Sequence, residues 1–144
     1  MTTIFKGEPT KGIAFYNLLF ENDEFNIELG KVILAAGKIE GELILYLKRK
    51  GVTDNISRAT FGSLIKTGKK YNLFDRNLTI VLEEICMQRN YLTHNIYALF
   101  ADLVEETILE KNNLVDTDVL LYVDRAWQLK ENLVGIADII NKMS

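Results

Sequence analysis

Three long stretches of the chain carry apolar residues at alternating steps of three and four, the spacing that builds one face of an α-helix. The first stretch is predicted to form a helix over residues 23–50, after a cap at Asn22 and before a stop at Gly51. The second stretch is predicted to form one long helix or two helices in line, with a first piece from about Asp75 towards Asn90 and a second piece from about His94 to Lys111. The apolar positions of the three stretches are Leu29, Val32, Ala36, Ile39, Leu43 and Tyr46; Leu78, Leu82, Ile85, Leu92, Ile96, Leu99 and Leu103; and Val119, Tyr122, Ala126, Leu129, Leu133, Ile136, Ile140 and Met143.

Shorter apolar segments complete the predicted fold. A short N-terminal helix can open at Pro9, and a further helix is predicted from Ile56 to about Lys70. The last long helix can be capped by Asp116 or Thr117. The sequence therefore predicts an all-α, mostly antiparallel bundle of four main helices plus the short N-terminal one, in a single domain that spans all 144 residues.

Three glycines interrupt the first long helix at positions where alanine would stabilise it. Gly30, Gly37 and Gly41 each cost about 1 kcal/mol relative to alanine. The predicted compensation is the close approach of a neighbouring helix. The same small-residue spacing occurs in membrane helix dimers, but charged side chains interleave the glycines here and exclude that use. These are Lys38, Glu40 and Glu42.

The second long stretch contains an arginine where its pattern requires an apolar residue. Arg89 occupies the missing step between Ile85 and Leu92. A guanidinium cannot lose its proton, and its burial without partners is costly. The pattern therefore predicts that this face opens at Arg89, either onto a cleft or onto another chain. His94, the only histidine of the protein, follows five residues later.

Arg89, Asn90 and His94 form an Arg-Asn-x-x-x-His sequence, which resembles the Arg-x(4–6)-His motif of the HEPN family. Thr60–Ile65 is also similar to a Thr-x-Gly-x-Leu-Ile stretch that precedes the motif helix in several families of this type. Members are small all-helical domains, many of them metal-independent endoribonucleases of toxin–antitoxin, abortive-infection and other defence systems. The resemblance implies catalytic roles for Arg89 and His94, with Asn90 in support. It also implies an RNA substrate, no cofactor, a homodimer with the motif at its interface, and an antitoxin or other defence protein as a further partner.

The reaction that the resemblance implies is attack of the ribose 2′-hydroxyl on the adjacent phosphate, without a metal ion. Histidine suits the proton transfer because its unperturbed pKa is about 6.5, and arginine suits the charge of the phosphorane through its fork of donors. On an ideal helix Arg89 and His94 would lie about 7.5 Å apart along the axis and about 140° around it, whereas Asn90 and His94 would share a face. Either the helix breaks between them, or the arginine reaches round, or two copies of the chain share the site.

A single chain offers one histidine, while cleavage of this kind commonly uses both a base and an acid. A two-fold dimer brings two histidines to one cleft, which agrees with the dimers typical of the family. The chain departs from the His-x-Tyr form of some members, because Ile96 stands two residues after His94 and the tyrosine is Tyr97. Two alternatives stay open. One is a non-catalytic HEPN-like module that dimerises or binds a nucleotide or protein partner, and the other is an unrelated helical interaction protein in which His94 packs in the core.

The net charge of −3 is unevenly distributed. Residues 48–76 hold eight basic and two acidic residues, a net charge of +6, which leaves −9 for the rest of the chain. A basic segment on an acidic protein can attract a polyanion locally. The alternative is a set of solvated cations at helix ends, where they suit the helix dipole. The predicted RNA-binding residues are Lys66, Lys69, Lys70 and Arg76.

The composition excludes several other classes of site. One cysteine, Cys86, cannot form an internal disulfide or a structural zinc site, and it is predicted to be a small core residue. A metal site would need ligands beyond a single histidine, and no glycine-rich phosphate loop is present. The first residues lack a secretory signal and no apolar run is long enough to span a membrane, so the protein is predicted to be cytoplasmic and not bound to a membrane.

Overall fold

A computed structural model describes residues 5–103 and 109–144 of the chain. Helices hold 72% of the structure and the described ranges contain no strand, which confirms the all-α prediction. The helices are α1 (Gly12–Glu21), α2 (Asp23–Arg49), α3 (Phe61–Lys70), α4 (Arg76–Thr93), α5 (Ile96–Phe100) and α6 (Val119–Lys142), with a 3-10 turn at Asp116–Asp118 before α6.

Capping contacts confirm the predicted ends of α2 and the predicted start of α4. The Asn22 side chain accepts a hydrogen bond from the backbone N–H of Phe25 at 2.8 Å. Gly51 has a φ of +84°, the left-handed conformation in which glycine ends a helix most easily. The Asp75 carboxylate accepts a hydrogen bond from the backbone N–H of Leu78 at 2.7 Å. Local sequence therefore sets these three boundaries.

The two shorter helices begin later than their apolar patterns predict. α1 begins at Gly12 rather than at Pro9, because Pro9 forms an isolated bridge with the loop before α6. α3 begins at Phe61 rather than at Ile56, because the Thr60 side chain caps its first turn. The apolar residue Ile56 is still buried, so it joins the core from a turn and not from a helix.

α2 and α6 form the centre of the fold and run in the same direction. Lys130 Nζ lies 3.0 Å from the Glu28 carboxylate, and Lys38 Nζ lies 3.3 Å from the Asp138 carboxylate. Early positions of α2 therefore meet early positions of α6, and later positions meet later ones. This pair differs from the antiparallel arrangement predicted for most of the bundle. α2 and α6 are parallel because the chain runs back in the opposite direction along α4 before it enters α6.

The second long apolar stretch forms two helices, which is one of the two arrangements that its pattern allows. α4 ends at Thr93, α5 covers only Ile96–Phe100, and Asp102 then adopts a φ of +61°. The second piece is therefore shorter than its apolar pattern predicts, and part of that pattern falls on residues 104–108, outside the described ranges. No helix within those ranges is both long and apolar enough to cross a membrane.

Aromatic rings fill the end of the core where α1 and α5 meet. The ring centroid of Phe15 lies 5.2 Å from that of Phe100 and 5.4 Å from that of Tyr122. The Tyr122 hydroxyl donates a hydrogen bond to the backbone oxygen of Glu110, and burial raises the pKa of Tyr122 well above its usual value. This packing anchors α5, which follows the candidate site directly.

The prediction that a neighbouring helix approaches the glycines of α2 is wrong within the described chain. A Cβ atom built on Gly30, Gly37 or Gly41 has no other atom within 4 Å, apart from its own neighbours. The face of α2 that packs into the core carries larger buried residues such as Val32 and Ile39. The glycines lie on the other face.

Candidate active site at the end of helix α4

The candidate site forms where α4 ends. The backbone oxygen of Asn90 accepts hydrogen bonds from the N–H groups of both His94 and Asn95, each at 2.9 Å. The Thr93 hydroxyl donates to the backbone oxygen of Arg89 at 2.7 Å. These bonds use carbonyl groups of the last turn, so the helix closes and His94 becomes its capping residue. α4 is continuous from Arg89 to Thr93 and ends at the histidine. Of the three arrangements that the sequence leaves open, the structure therefore has the arginine side chain reach round to His94.

The end of the helix brings the Arg89 and His94 side chains together. Nη1 of Arg89 lies 2.9 Å from Nε2 of His94. A guanidinium carries donors and no acceptor, so Nε2 accepts this hydrogen bond and the ring proton is on Nδ1. The contact therefore places the imidazole directly beside a permanent cation. His94 itself is exposed to solvent.

Arg89 is supported by helix α3. Its guanidinium carbon lies 5.9 Å from the centroid of the Phe61 ring, within the range of a cation–π contact. Phe61 is fully buried at the first position of α3, so its ring is fixed by the core. Nε of Arg89 is buried and has no hydrogen-bond partner in the described chain. No pattern in the sequence indicates that the Phe61 ring supports the arginine.

Asn90 does not join the pair through its side chain. Its Nδ2 atom lies 4.0 Å from the sulfur of Cys86, whereas the predicted helical spacing turned Asn90 towards His94. Cys86 is buried, which confirms the core position predicted for it. Burial raises the pKa of its thiol, an effect that the positive charge of Arg89 opposes.

The predicted RNA-binding residues are exposed side chains on α3 and at the start of α4. Lys69 pairs with Glu83 of α4 at 3.7 Å, and Lys70 pairs with Asp54 at 3.3 Å. Within the described chain, none of the four predicted residues makes a hydrogen bond or ion pair with Arg89 or His94. All four residues are exposed, and we call Lys66, Lys69, Lys70 and Arg76 the basic surface.

Tyr97, the residue at which the motif departs from the His-x-Tyr form, packs on α1. Its ring meets the edge of Tyr16 with the centroids 4.9 Å apart and the planes at 87°. About half of the Tyr97 side chain remains exposed. This tyrosine therefore connects α5 to α1, next to the candidate site along the chain.

Two neighbouring cavities lie between α4 and α6, with volumes of about 410 and 380 Å³. Their α4 side is lined by residues such as Glu84, Ile85 and Gln88, and neither cavity includes Arg89 or His94. The candidate pair therefore lies outside both cavities, with His94 exposed and Arg89 partly buried.

The chemistry of the candidate site comes from the arginine and the histidine. Within the described ranges, no group of three or more histidine, cysteine, aspartate or glutamate side chains is placed to hold a metal ion. The pair combines a fixed donor fork with an imidazole that can exchange a proton near neutral pH. Comparison of the chain with models of known protein families, with curated proteins and with solved structures found no match.

Proposed function

We propose that the chain is a metal-independent endoribonuclease of HEPN type that acts as a toxin or defence component. The observation that carries the proposal is the 2.9 Å contact between Nη1 of Arg89 and Nε2 of His94 on an exposed helix end. Cleavage of RNA by its own 2′-hydroxyl needs a group that moves a proton and a cation that stabilises the charge of the phosphorane. The pair supplies one of each.

RNA would have to rearrange this pair before His94 could act as a base. Arg89 occupies the lone pair of Nε2 in the free protein. An anionic phosphate oxygen is a stronger acceptor for a guanidinium than a neutral imidazole is, so bound RNA draws Nη1 away and frees Nε2. His94 then accepts the 2′-hydroxyl proton as that oxygen attacks phosphorus. The 5′-oxygen leaves with a proton from an acid, and the product carries a 2′,3′-cyclic phosphate.

The acid that protonates the leaving oxygen is proposed to come from a second copy of the chain. Each copy contains one histidine, so a homodimer with two sites side by side would provide both a base and an acid. Arg89 of each copy would bind the phosphate. An antitoxin or another defence protein is the expected further partner, since activity of this kind requires restraint in the cell.

The same contact supports a second candidate function. If Arg89 keeps Nε2 of His94 engaged when an anion binds, the imidazole cannot act as a base. The chain would then be a non-catalytic HEPN-like dimer that binds a nucleotide or a protein partner. The position of Tyr97 and the acidic balance outside residues 48–76 favour this alternative.

Cleavage of RNA by the purified protein in the presence of a metal chelator tests the proposal. The wild type should leave cyclic phosphate ends, and both His94→Ala and Arg89→Ala should remove this activity while circular dichroism shows the fold intact. Glu84→Ala is the matched control, because Glu84 is exposed on the side of α4 that faces α6, and it should cleave like the wild type. Binding of RNA without cleavage by the wild type would favour the second candidate.

A further inference from the structure

The solvent-facing side of α2 is apolar along most of the helix. Its large side chains are well exposed, with Leu34 at 76% and Ile27 and Ile33 at 57% each. Single exposed apolar residues are ordinary, but a continuous apolar strip marks an interaction surface. We call this strip the α2 stripe, and its members are Ile27, Gly30, Ile33, Leu34, Gly37, Gly41, Ile44 and Leu45.

No charged residue interrupts the α2 stripe. Its eight positions fall within about 120° of the helix circumference and extend for about 27 Å along the axis. Lys31 and Lys38 lie at the edge next to α6, where Lys38 pairs with Asp138. Glu40 lies at the opposite edge, close enough to Cys86 of α4 for its charge to act on the thiol. The charges thus frame the stripe and leave its centre apolar.

The glycines of the stripe have no role inside the described chain. Glycine within a helix is less stable than alanine, and no atom lies within 4 Å of a Cβ built on Gly30, Gly37 or Gly41. The backbone there is ordinary helix, so no unusual φ requires glycine either. What glycine does offer at these positions is room for another backbone to come close from outside.

We propose that the α2 stripe is the surface through which two copies of this chain associate, with their α2 helices antiparallel. A two-fold axis between Ala35 and Ala36 places Leu34 opposite Gly37 of the second copy. The same register places Gly30 opposite Gly41. Each of these pairs occurs twice, as an isologous interface requires. Large side chains at the centre thus meet glycines, and the surface is complementary to itself.

The α2 stripe alone is too small for a stable dimer interface, so the surfaces on either side of it must also be buried. A strip about 27 Å long and about 10 Å wide covers roughly 300 Å². A stable interface covers about 800 Å² on each partner, so the flanks of α4 and α6 must also be covered. In an antiparallel pair related by a two-fold axis, each flank meets the same flank of the other copy. The two α4 helices therefore lie on the same side of the interface.

This arrangement also bears on the candidate active site, and that consequence alone rests on the proposed function. Cys86 lies near Glu40, and α4 runs in the opposite direction to α6 and hence to α2. Arg89 and His94 are therefore carried towards the level of the middle of the stripe, where the two-fold axis passes. Both copies of the pair would face one shared cleft.

Sedimentation equilibrium of the full chain tests the association without any reference to RNA. The wild type should be a dimer at micromolar concentration. Leu34→Glu should weaken self-association by about tenfold or more, because the dimer would bury two unpaired carboxylates. Ile139→Glu is the matched control, since Ile139 is an exposed apolar residue of α6 that lines the cavity between α4 and α6, to which α2 contributes no residue, and it should leave the mass unchanged. A monomeric wild type, or a Leu34→Glu variant that associates like the wild type, would overturn the proposal.

Gly37→Leu distinguishes an effect on self-association from an effect on the stability of the single chain. A Cβ atom at position 37 meets no atom of its own chain, and leucine is a better helix former than glycine, so the melting temperature should rise in a Leu34→Glu background. In the wild-type background the same change should weaken association, because it fills the space opposite Leu34. Stronger or unchanged association would contradict the proposed register.

Disulfide trapping tests the antiparallel orientation. Ile27→Cys and Ile44→Cys, each combined with Cys86→Ala, should form a mixed disulfide when the two variants are mixed and oxidised, because the register brings positions 27 and 44 together. Two cysteines at position 27 should not link to each other. The reverse result would overturn the antiparallel pairing. A trapped dimer that does not cleave RNA would leave this interface standing and remove only the proposed function.

Discussion

The Arg89–His94 pair and the basic surface of Lys66, Lys69, Lys70 and Arg76 are both predicted to meet RNA, yet the structure holds their charges in different ways. The guanidinium of Arg89 rests on a buried ring, and its Nε atom is buried. Lys69 and Lys70 instead make exposed ion pairs, which contribute about 0–1 kcal/mol and exchange readily with water and salt. The Arg89 guanidinium is therefore held in a fixed position, as catalysis requires. Lys69 and Lys70 instead supply electrostatic attraction that other cations could replace.

The largest difference between the two regions should appear when Arg89 is removed. Arg89→Ala should lower the rate of RNA cleavage by about 10²–10³-fold, the usual effect of removing one donor that stabilises the transition-state charge. Arg89→Lys should restore little, because a point charge does not replace a planar fork of donors. Single-turnover rates at saturating RNA give the comparison. A similar decrease for Lys69→Ala would show that the two regions do not differ as described.

A smaller effect is expected from the ring beneath the arginine. Phe61→Leu keeps an apolar residue in the core and should cost about 1 kcal/mol of unfolding free energy, but it removes the cation–π interaction and should lower the cleavage rate several-fold. Phe15→Leu is the matched control, since Phe15 is equally buried at the α1–α5 end. It should cost similar stability and leave cleavage unchanged. An equal decrease of cleavage in both variants would assign the effect to stability.

Removal of the basic surface should change the salt dependence of binding more than the rate. Replacing its four residues by alanine should weaken RNA binding at low salt, and the slope of log affinity against log salt should fall by about 0.7 for each phosphate that the variant no longer neutralises. The cleavage rate at saturating RNA should remain close to that of the wild type. Binding measured by fluorescence anisotropy over a salt series checks the slope. An unchanged slope would mean that RNA does not touch this surface.

The smallest effect is expected from the ion pair between Lys70 and Asp54. A hydrogen bond from the Tyr71 hydroxyl, together with the charge of Lys70, holds the pKa of Asp54 below its usual value of 3.8. A lowered pKa stabilises the fold above pH 3.8, and this contribution disappears as the pH falls through the pKa of the folded state. Asp54→Asn should therefore lower the melting temperature slightly at pH 7, and the difference should shrink below pH 3.8. A difference that is constant with pH would contradict this assignment.

The sequence predicted the long helices because their ends are set by short-range interactions. The cap at Asn22, the left-handed Gly51 and the cap at Asp75 are all visible in the sequence and all operate within one turn. The later starts of α1 and α3 depend on longer-range pairing and on a cap at Thr60 that competes with the apolar pattern. The parallel direction of α2 and α6 is a property of how the helices pack, which periodicity does not encode.

The candidate site was only partly predictable. The spacing of Arg89 and His94 left three arrangements open, and the observed one, in which the arginine reaches the histidine, depends on where α4 ends. That end is fixed by the bonds that the Asn90 carbonyl accepts and by the bond that the Thr93 hydroxyl donates. The support of Arg89 by Phe61 joins two helices, and no local pattern shows such an interaction. The glycines of α2 gave the opposite lesson. Their spacing indicated a neighbouring helix, but no such neighbour lies within the described chain.

The most direct test of the central claim compares the wild type with His94→Ala in RNA cleavage at equal folded concentration, with a metal chelator present and with the ends of the products identified. His94 is exposed, so its removal should leave the fold intact. The proposed ribonuclease function predicts cyclic phosphate products from the wild type. It also predicts a cleavage rate about 10²–10⁴-fold lower for the variant, the usual effect of removing a general acid–base group. Equal cleavage by the two proteins would contradict it.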